Sequence, residues 1–589
     1  MKWKQWLPVV VGLSLWACGG GNSSPSESGT DTQDAGTSDV KETPPPQGGV
    51  LEEYCEEQVG QPSIEEVAPD LFVARGFDLA NTIVLHTEEG NVVIDPSMSP
   101  ERAQTIRDAM AEHIDGPIVA IIYTHSHLDH IGGASVWAEE GTEIWATDAF
   151  FPHLMKQYGA FRDGELKRAT LQHAHHLSEA ELPCSAVGKR VDLTAALKTG
   201  IRKPTHTFSG IQEIVVGGVT IELVEAHGET HDQLFVYIPS LEALMCGDNY
   251  YAAFPNLYTI RGTSTRPVDQ WVRSLDQMRR RDPAVLVPSH TKPLLHRDEI
   301  RETLRDYRDG IQWLYDEVVR GANALEDIDS MAHRIQLPEH LAAKPYLREL
   351  YGQVDWSVRG IYGSQVGWFD GRADRLYEPT DVDAREIELM GGAESVLATA
   401  QAAQESGDKR WAVHLLGKLR DSGLADPATL KPALAAAYRE LAAVQDNTNG
   451  RAYLLESALL LDGEPEPPGS AVVDDEFLQT LPMNVFFDVL GARLKVEMAV
   501  DVVESMAFDF TDTGLRYVVT VRQGVAEVVE GEPLPGTPEP VATLTTTEAT
   551  WRRLAVGALG QVEAVTSGLL EADNLGAVIA FMARFEQGY

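Results

Sequence analysis

Thr124-His125-Ser126-His127-Leu128-Asp129-His130-Ile131-Gly132-Gly133 decides how the rest of this chain is read. The run ahead of it, Pro117-Ile118-Val119-Ala120-Ile121-Ile122-Tyr123, is β-branched, too short for a helix and preceded by Asp115-Gly116. It predicts a buried strand, so the histidines sit on the loop leaving the strand's carboxyl end. Gly132-Gly133 lets the backbone that follows pack closely. A lone histidine after a strand is ordinarily a surface residue or a hydrogen-bonded core residue. Three imidazoles and a carboxylate in the order H-x-H-x-D-H are different, because burying them together without a cation would leave polar groups unpaired. Neutral imidazole with carboxylate suits zinc better than manganese or iron. Four such side chains exceed what one ion with an open position needs, and two metals are expected.

Composition narrows the partners. A length of 589 residues predicts several domains, and 43% hydrophobic residues with 32 prolines and 50 glycines fit a soluble globular chain. The net charge of −41 repels phosphates and anionic lipid, which excludes nucleic acid and polybasic membrane binding. An anionic substrate would need positive charge built into the site, which two divalent ions supply. Cys18, Cys55, Cys184 and Cys246 show no C-x-x-C spacing. Cys246, in Leu244-Met245-Cys246, is expected in the core. Cys55 and Cys184 could pair in an oxidising compartment, a question the sequence leaves open.

The chain begins with a processing segment, residues 1–17. Lys2 and Lys4 precede an apolar run from Leu7 to Trp16 that is too short to span a bilayer. Leu15-Trp16-Ala17-Cys18 resembles a bacterial lipoprotein cleavage box with Cys18 as the lipidated N-terminus. This implies an exported, lipid-anchored envelope protein that touches membrane through Cys18 alone. Residues 18–50, rich in Gly, Ser, Thr, Asp and Pro, read as a tether.

From Leu51 the chain becomes globular. Leu71–Arg75, Thr82–His86 and Val92–Asp95 read as strands, and Ser99-Pro100-Glu101 caps a helix. Asp78-Leu79-Ala80-Asn81 is a loop able to approach the site. His173, His175 and His176 read as a solvated or packing cluster. Val219–Val224 alternates apolar and polar residues and leads into His227-Gly228-Glu229-Thr230-His231. Ala243–Cys246 ends in Gly247-Asp248, and Ala284–Val287 ends in Pro288-Ser289-His290. Four strand ends thus deliver ligand-type side chains: His125, His127, Asp129, His130, Glu229, Asp248 and His290.

The histidine motif with this strand order resembles the metallo-β-lactamase superfamily, which implies an α/β fold built as a four-layer αββα sandwich. In that superfamily a third histidine follows such a strand in a Gly-His-Thr context, whereas here Glu229 stands at that place. His227 and His231 are the competing ligands. Asp248 is at the usual position of a carboxylate bridging two metals, and His290 at that of the last ligand. Glutamate in this place, followed by Asn256-Leu257-Tyr258-Thr259-Ile260-Arg261-Gly262, resembles the alkyl sulfatase family. By that resemblance Asn256 and Arg261 take the sulfate group, since a tetrahedral anion suits a planar fork of donors and a neutral amide.

The resemblance extends to Tyr351-Gly352-Gln353-Val354, Ile361-Tyr362 and Gly367-Trp368-Phe369-Asp370-Gly371. It implies a catalytic domain over 51–385, an all-α helical dimerisation domain over 386–464, making a homodimer, and a small α+β sterol-carrier-like domain over 465–589 that can hold an aliphatic tail. One residue departs from the pattern: the alkyl sulfatases carry glutamate where Asp248 stands here, a shorter arm. The function implied is zinc-dependent hydrolysis of an alkyl sulfate ester by a metal-activated water. His125, His127 and Glu229 would hold one Zn2+, Asp129, His130 and His290 the other, with Asp248 shared. Asp129 and Asp248 are the catalytic carboxylates. The competing readings are another hydrolase of the superfamily, acting on lactones, phosphodiesters or thioesters, and a non-enzymatic amphiphile-binding lipoprotein.

Overall fold

A computed structural model describes residues 49–157, 159–191, 198–464 and 472–586. The processing segment expected over 1–17, Cys18 and most of the expected tether lie outside the described residues. Two sheets face each other. The first has the order β1 (Ser63–Ala68), β2 (Leu71–Arg75), β3 (Thr82–Thr87), β4 (Gly90–Ile94), β5 (Ile118–Ile122), β6 (Glu143–Thr147) and β7 (His206–Phe208). The second runs β8 (Ile211–Val216), β9 (Val219–Glu225), β10 (Leu234–Ile238), β11 (Ala243–Met245) and β12 (Val285–Val287), side by side in sequence order.

The alternation expected of strands sorts side chains between layers. Ile83 and Leu85 of β3 join Leu223, Leu234, Val236 and Met245 in the core between the sheets. Val84, between them, faces the outer layer with Ile106 and Met110 of α1 (Pro100–Met110). Ser99 caps α1, its hydroxyl accepting from Arg102 N at 3.3 Å. Outside the second sheet, Trp271 and Leu275 of α2 (Val268–Arg281) and Tyr307 and Ile311 of α3 (Arg297–Asn323) close the fourth layer. The αββα sandwich follows from these partitions.

Where strands run parallel, their carboxyl ends lie together. The pairs β4/β5 and β11/β12 are parallel, whereas β9/β10 and β10/β11 are antiparallel. Asp95 therefore emerges beside Thr124, and Asp248 beside His290. Gly132 and Gly133 are required by close approach: a β-carbon would lie 1.8 Å from the Met98 carbonyl oxygen at Gly132 and 2.2 Å from that of Pro96 at Gly133.

The sandwich is followed by a helical region, with helices Val382–Leu389, Ala393–Ser406, Lys409–Ser422, Pro427–Ala442 and Thr448–Asp462. A final sheet holds Val503–Phe510, Arg516–Arg522, Val525–Glu530, Pro540–Thr546 and Leu570–Ala572. Its apolar face packs Phe487, Phe508, Tyr517 and Trp551 together. Cys55 and Cys184 form a disulfide, and Cys246 is a buried free thiol. Among the described residues no helix is long and apolar enough to cross a membrane.

Candidate metal centre and anion pocket

Two triads of ligand-type side chains converge at the strand ends. His125, His127 and Asp248 form one, and Asp129, His130 and His290 the other; within each, the donor atoms lie within 4.8 Å of one another. Asp248 reaches both. Its Oδ2 lies 3.1 Å from His290 Nε2, 3.5 Å from His130 Nε2 and 3.7 Å from His125 Nε2. His290 Nε2 is also 3.4 Å from Asp129 Oδ2, and His125 Nε2 is 2.9 Å from His127 Nδ1.

The far sides of the rings are held as metal-binding imidazoles require. His130 Nδ1 meets Asp95 Oδ2 at 2.8 Å, and the Asp95 carboxylate also accepts from Thr124 N at 2.9 Å and from the Ser289 hydroxyl at 2.6 Å. His290 Nδ1 lies 2.9 Å from the Leu79 carbonyl oxygen. Asn81 Nδ2 donates to the carbonyls of Pro288 and Thr291, so the Asp78–Asn81 loop reaches the site after all.

Electrostatics favours a cation. Burial first, and then His130, holds His125 near about 3, so it is neutral with a lone pair available. Burial likewise keeps His127 well below its usual range, aided by His125 and Arg261. Burial opposes charge on His130, but Asp248, Asp129 and Asp95 outweigh it and raise its affinity for a proton well above normal. A site where carboxylates call for positive charge this strongly, and where His130 Nε2 and Asp248 Oδ1 are buried without hydrogen-bond partners, fits divalent metal.

Glu229 lies outside both triads. It is buried, its carboxylate meets the Arg266 guanidinium, and its N–H donates to Asn249 Oδ1 at 3.3 Å. Burial, joined by the Asp248 carboxylate and opposed by Arg266 and Arg261, pushes Glu229 up to about 7. His227 is engaged by Glu225 at 2.8 Å and Gln270 at 2.6 Å, while His231 contacts the Thr265 carbonyl at 2.9 Å. Neither joins a triad. Of the other histidines, His176 pairs with Glu456 at 2.6 Å, a packing tie to the helical region. Burial, then Arg261, holds His173 near about 3.

Beside the triads lies a pocket of donors. Asn256 is buried, its N–H donates to the Tyr251 hydroxyl at 2.7 Å, and its carbonyl accepts from Arg266. Asn256 Nδ2 is buried with no hydrogen-bond partner, as are Arg266 Nε and Nη2. Unspent donors of this kind suit an acceptor-rich anion. Arg261 donates through Nη1 to Thr259 Oγ1 at 2.9 Å and through Nε to Glu165 at 3.4 Å.

Three of these residues were missed in the sequence. Asp95 had a faint signal, an acid ending a buried strand parallel to the histidine strand. Arg266, next to Pro267, and Glu165, on a polar helix, carry none.

The sandwich and its paired triads define a member of the metallo-β-lactamase superfamily, whose family model matches residues 75–290. Models described as alkyl sulfatase dimerisation and alkyl sulfatase C-terminal match residues 327–464 and 472–589. A linear primary-alkylsulfatase of Pseudomonas sp. is 30% identical over 468 residues, covering 76% of this chain and 88% of that one. An (R)-specific secondary-alkylsulfatase of Pseudomonas sp. is 28% identical, covering 87% and 79%. The solved structure of the stereoselective inverting sec-alkylsulfatase Pisa1 from Pseudomonas sp. aligns with a TM-score of 0.78 at 26% identity, covering 90% of this chain and 86% of that one. The chain belongs to the alkyl sulfatase family.

Proposed function

We propose that this protein hydrolyses alkyl sulfate esters to an alcohol and inorganic sulfate at a two-zinc centre. The observation that carries the reading is the juxtaposition of two metal-ligand triads, joined by Asp248, with the unspent donor Asn256 Nδ2 and the Arg261 and Arg266 guanidinium groups. His125, His127 and Asp248 would hold one zinc, with Glu229 beside them, and Asp129, His130 and His290 the other. Zinc in such a donor set supplies Lewis acidity and lowers the pKa of bound water to about 7. Asn256 and the arginines take the sulfate oxygens and fix the ester's orientation, while Asp129 and Asp248 set the charge where water enters. The relatives' names support the substrate class.

An apolar cavity of about 370 Å³ in the C-terminal domain, lined by Trp551, Leu554, Ile579, Met582 and Phe585 among others, supports a role in holding the aliphatic tail. The dimerisation model supports a homodimer through the helical region. Export and lipid anchoring at Cys18 belong to the same proposal, and a disulfide suits that compartment.

The test is sulfate release from dodecyl sulfate by zinc-loaded protein, before and after chelation. Release abolished by chelator and restored by zinc is expected. No release from the zinc-loaded protein, with turnover of a lactone, phosphodiester or thioester, would move the assignment elsewhere in the superfamily.

A further inference from the structure

The loop carrying Arg261 is gripped by one face of the helix Arg162–His173. Glu165, Arg168 and Gln172 stand at i, i+3 and i+7, the spacing that aligns side chains along one helix face. Arg168 Nη2 donates to the Ile260 carbonyl at 2.8 Å. Gln172 Oε1 accepts from Arg261 N at 2.9 Å and from Thr259 Oγ1 at 3.0 Å, while its Nε2 is buried without a partner. Glu165 Oε1 accepts from Arg261 Nε at 3.4 Å and from Gln157 Nε2 at 3.0 Å, and both ends of the ion pair are largely buried. The second arginine of the pocket is matched in the same way, Arg266 by Glu229.

We propose that Glu165 is a specificity-determining residue that makes the anion pocket select a singly charged sulfate ester over a doubly charged phosphate ester of the same shape. The two esters are both tetrahedral and present similar acceptor oxygens, so hydrogen bonding to Asn256 and Arg261 separates them poorly. Charge separates them well. With Arg261 already paired to the Glu165 carboxylate, that arginine adds orientation without much net positive charge. A second negative charge on a ligand held by Arg261 then adds to that of Glu165, whose Oε1 lies 3.4 Å from Arg261 Nε in largely buried surroundings. Repulsion of this sort discriminates through what it costs the wrong ligand. The inference rests on the sulfate-ester reading above.

The experiment compares a medium-chain alkyl sulfate with the alkyl phosphate of the same chain at pH 8, where the phosphate is doubly charged. Its readout is the ratio of kcat/KM for sulfate to that for phosphate, in metal-loaded full-length protein. Glu165→Gln is expected to lower that ratio at least about tenfold, chiefly through a smaller KM for the phosphate. Glu165→Asp should restore most of it. Gln172→Glu keeps the acceptor that Arg261 N and Thr259 use and adds a charge, so it should raise the ratio. Opposite shifts in Glu165→Gln and Gln172→Glu cannot come from general damage to the fold. An unchanged ratio in Glu165→Gln, or shifts of the same sign in both, would overturn the proposal. If the unmodified protein turns over neither ester, the functional reading fails. The two esters then serve as unreacted ligands, and the ratio of their dissociation constants by calorimetry judges Glu165 by the same criteria.

Discussion

Asp95 Oδ2 lies 2.8 Å from His130 Nδ1, with both side chains fully buried, Asp95 directly after β4 and His130 on the short helix Leu128–Ile131 that follows the neighbouring parallel strand β5. The contact fixes which nitrogen of His130 faces the triads and raises its basicity toward a cation. Asp95→Asn should lower metal affinity about 10- to 100-fold, read as zinc retained against a graded chelator. Unchanged retention would show that His130 is oriented by other means.

Arg266 and Glu229 form a second buried pair, with side chains 3% and 4% exposed. Removing one partner leaves the other charge without compensation. Arg266→Ala should cost about 3–5 kcal/mol of stability in metal-free protein, measured by denaturant unfolding. Arg266→Ala with Glu229→Gln should cost less than the single change. If the double variant is the less stable, the pair is not what holds these residues.

The disulfide joins Cys55 to Cys184 across 129 residues of sequence. A bridge closing so long a loop restricts the unfolded chain strongly. Cys55→Ser with Cys184→Ser, or reduction of the unchanged protein, should cost about 2–5 kcal/mol. Equal midpoints with and without reductant would contradict this.

Asp232 is buried with its Oδ1 3.4 Å from His153 Nδ1, and burial pushes its carboxyl up to about 7 against the pull of Thr230 and Ser126. Between the usual carboxylate value and that one, the folded protein holds a proton the unfolded chain has released. Stability from this group therefore falls as pH rises from about 4 to about 7, by at most about 1.4 kcal/mol per unit. Relative to the unchanged protein, Asp232→Asn should gain stability steadily over that window. His153, held down near about 4 by burial and then by His231, works in the opposite sense. A difference curve flat with pH would show that Asp232 ionises normally in the fold.

The site was legible in the sequence wherever a side chain's type announced its chemistry at a strand end. His125 to His130, Asp248 and His290 follow apolar runs whose period and length predict strands, and the backbone carries them to one place. Asn256 and Arg261 were singled out through a motif. Asp95, Arg266 and Glu165 were not, because their roles come from partners 35, 37 and 96 residues away: His130, Glu229 and Arg261. Nothing local distinguishes an acid that orients an imidazole from one that ends a strand. The disulfide was open for the same reason, since pairing depends on which segments the fold brings together.

The start of the helix Thr448–Asp462 is turned inward. Asn447 Nδ2 donates to the carbonyls of Glu349, Tyr351 and Gly352, Thr448 Oγ1 contacts those of Ser185 and Leu350, and Asn449 Nδ2 donates to that of Tyr351. The Ser185 carbonyl, inside the hydrolase-like stretch 75–290, thus takes its donor from a helix inside the separately matched stretch 327–464, which also holds the carbonyls of Glu349 to Gly352. A shortened version ending ahead of the helices would strip those carbonyls of their donors and loosen the segment leading to Phe254 and Asn256. Modular boundaries here describe ancestry better than they describe mechanical independence, and trimming the chain to its hydrolase-like core is a poor route to a smaller catalyst.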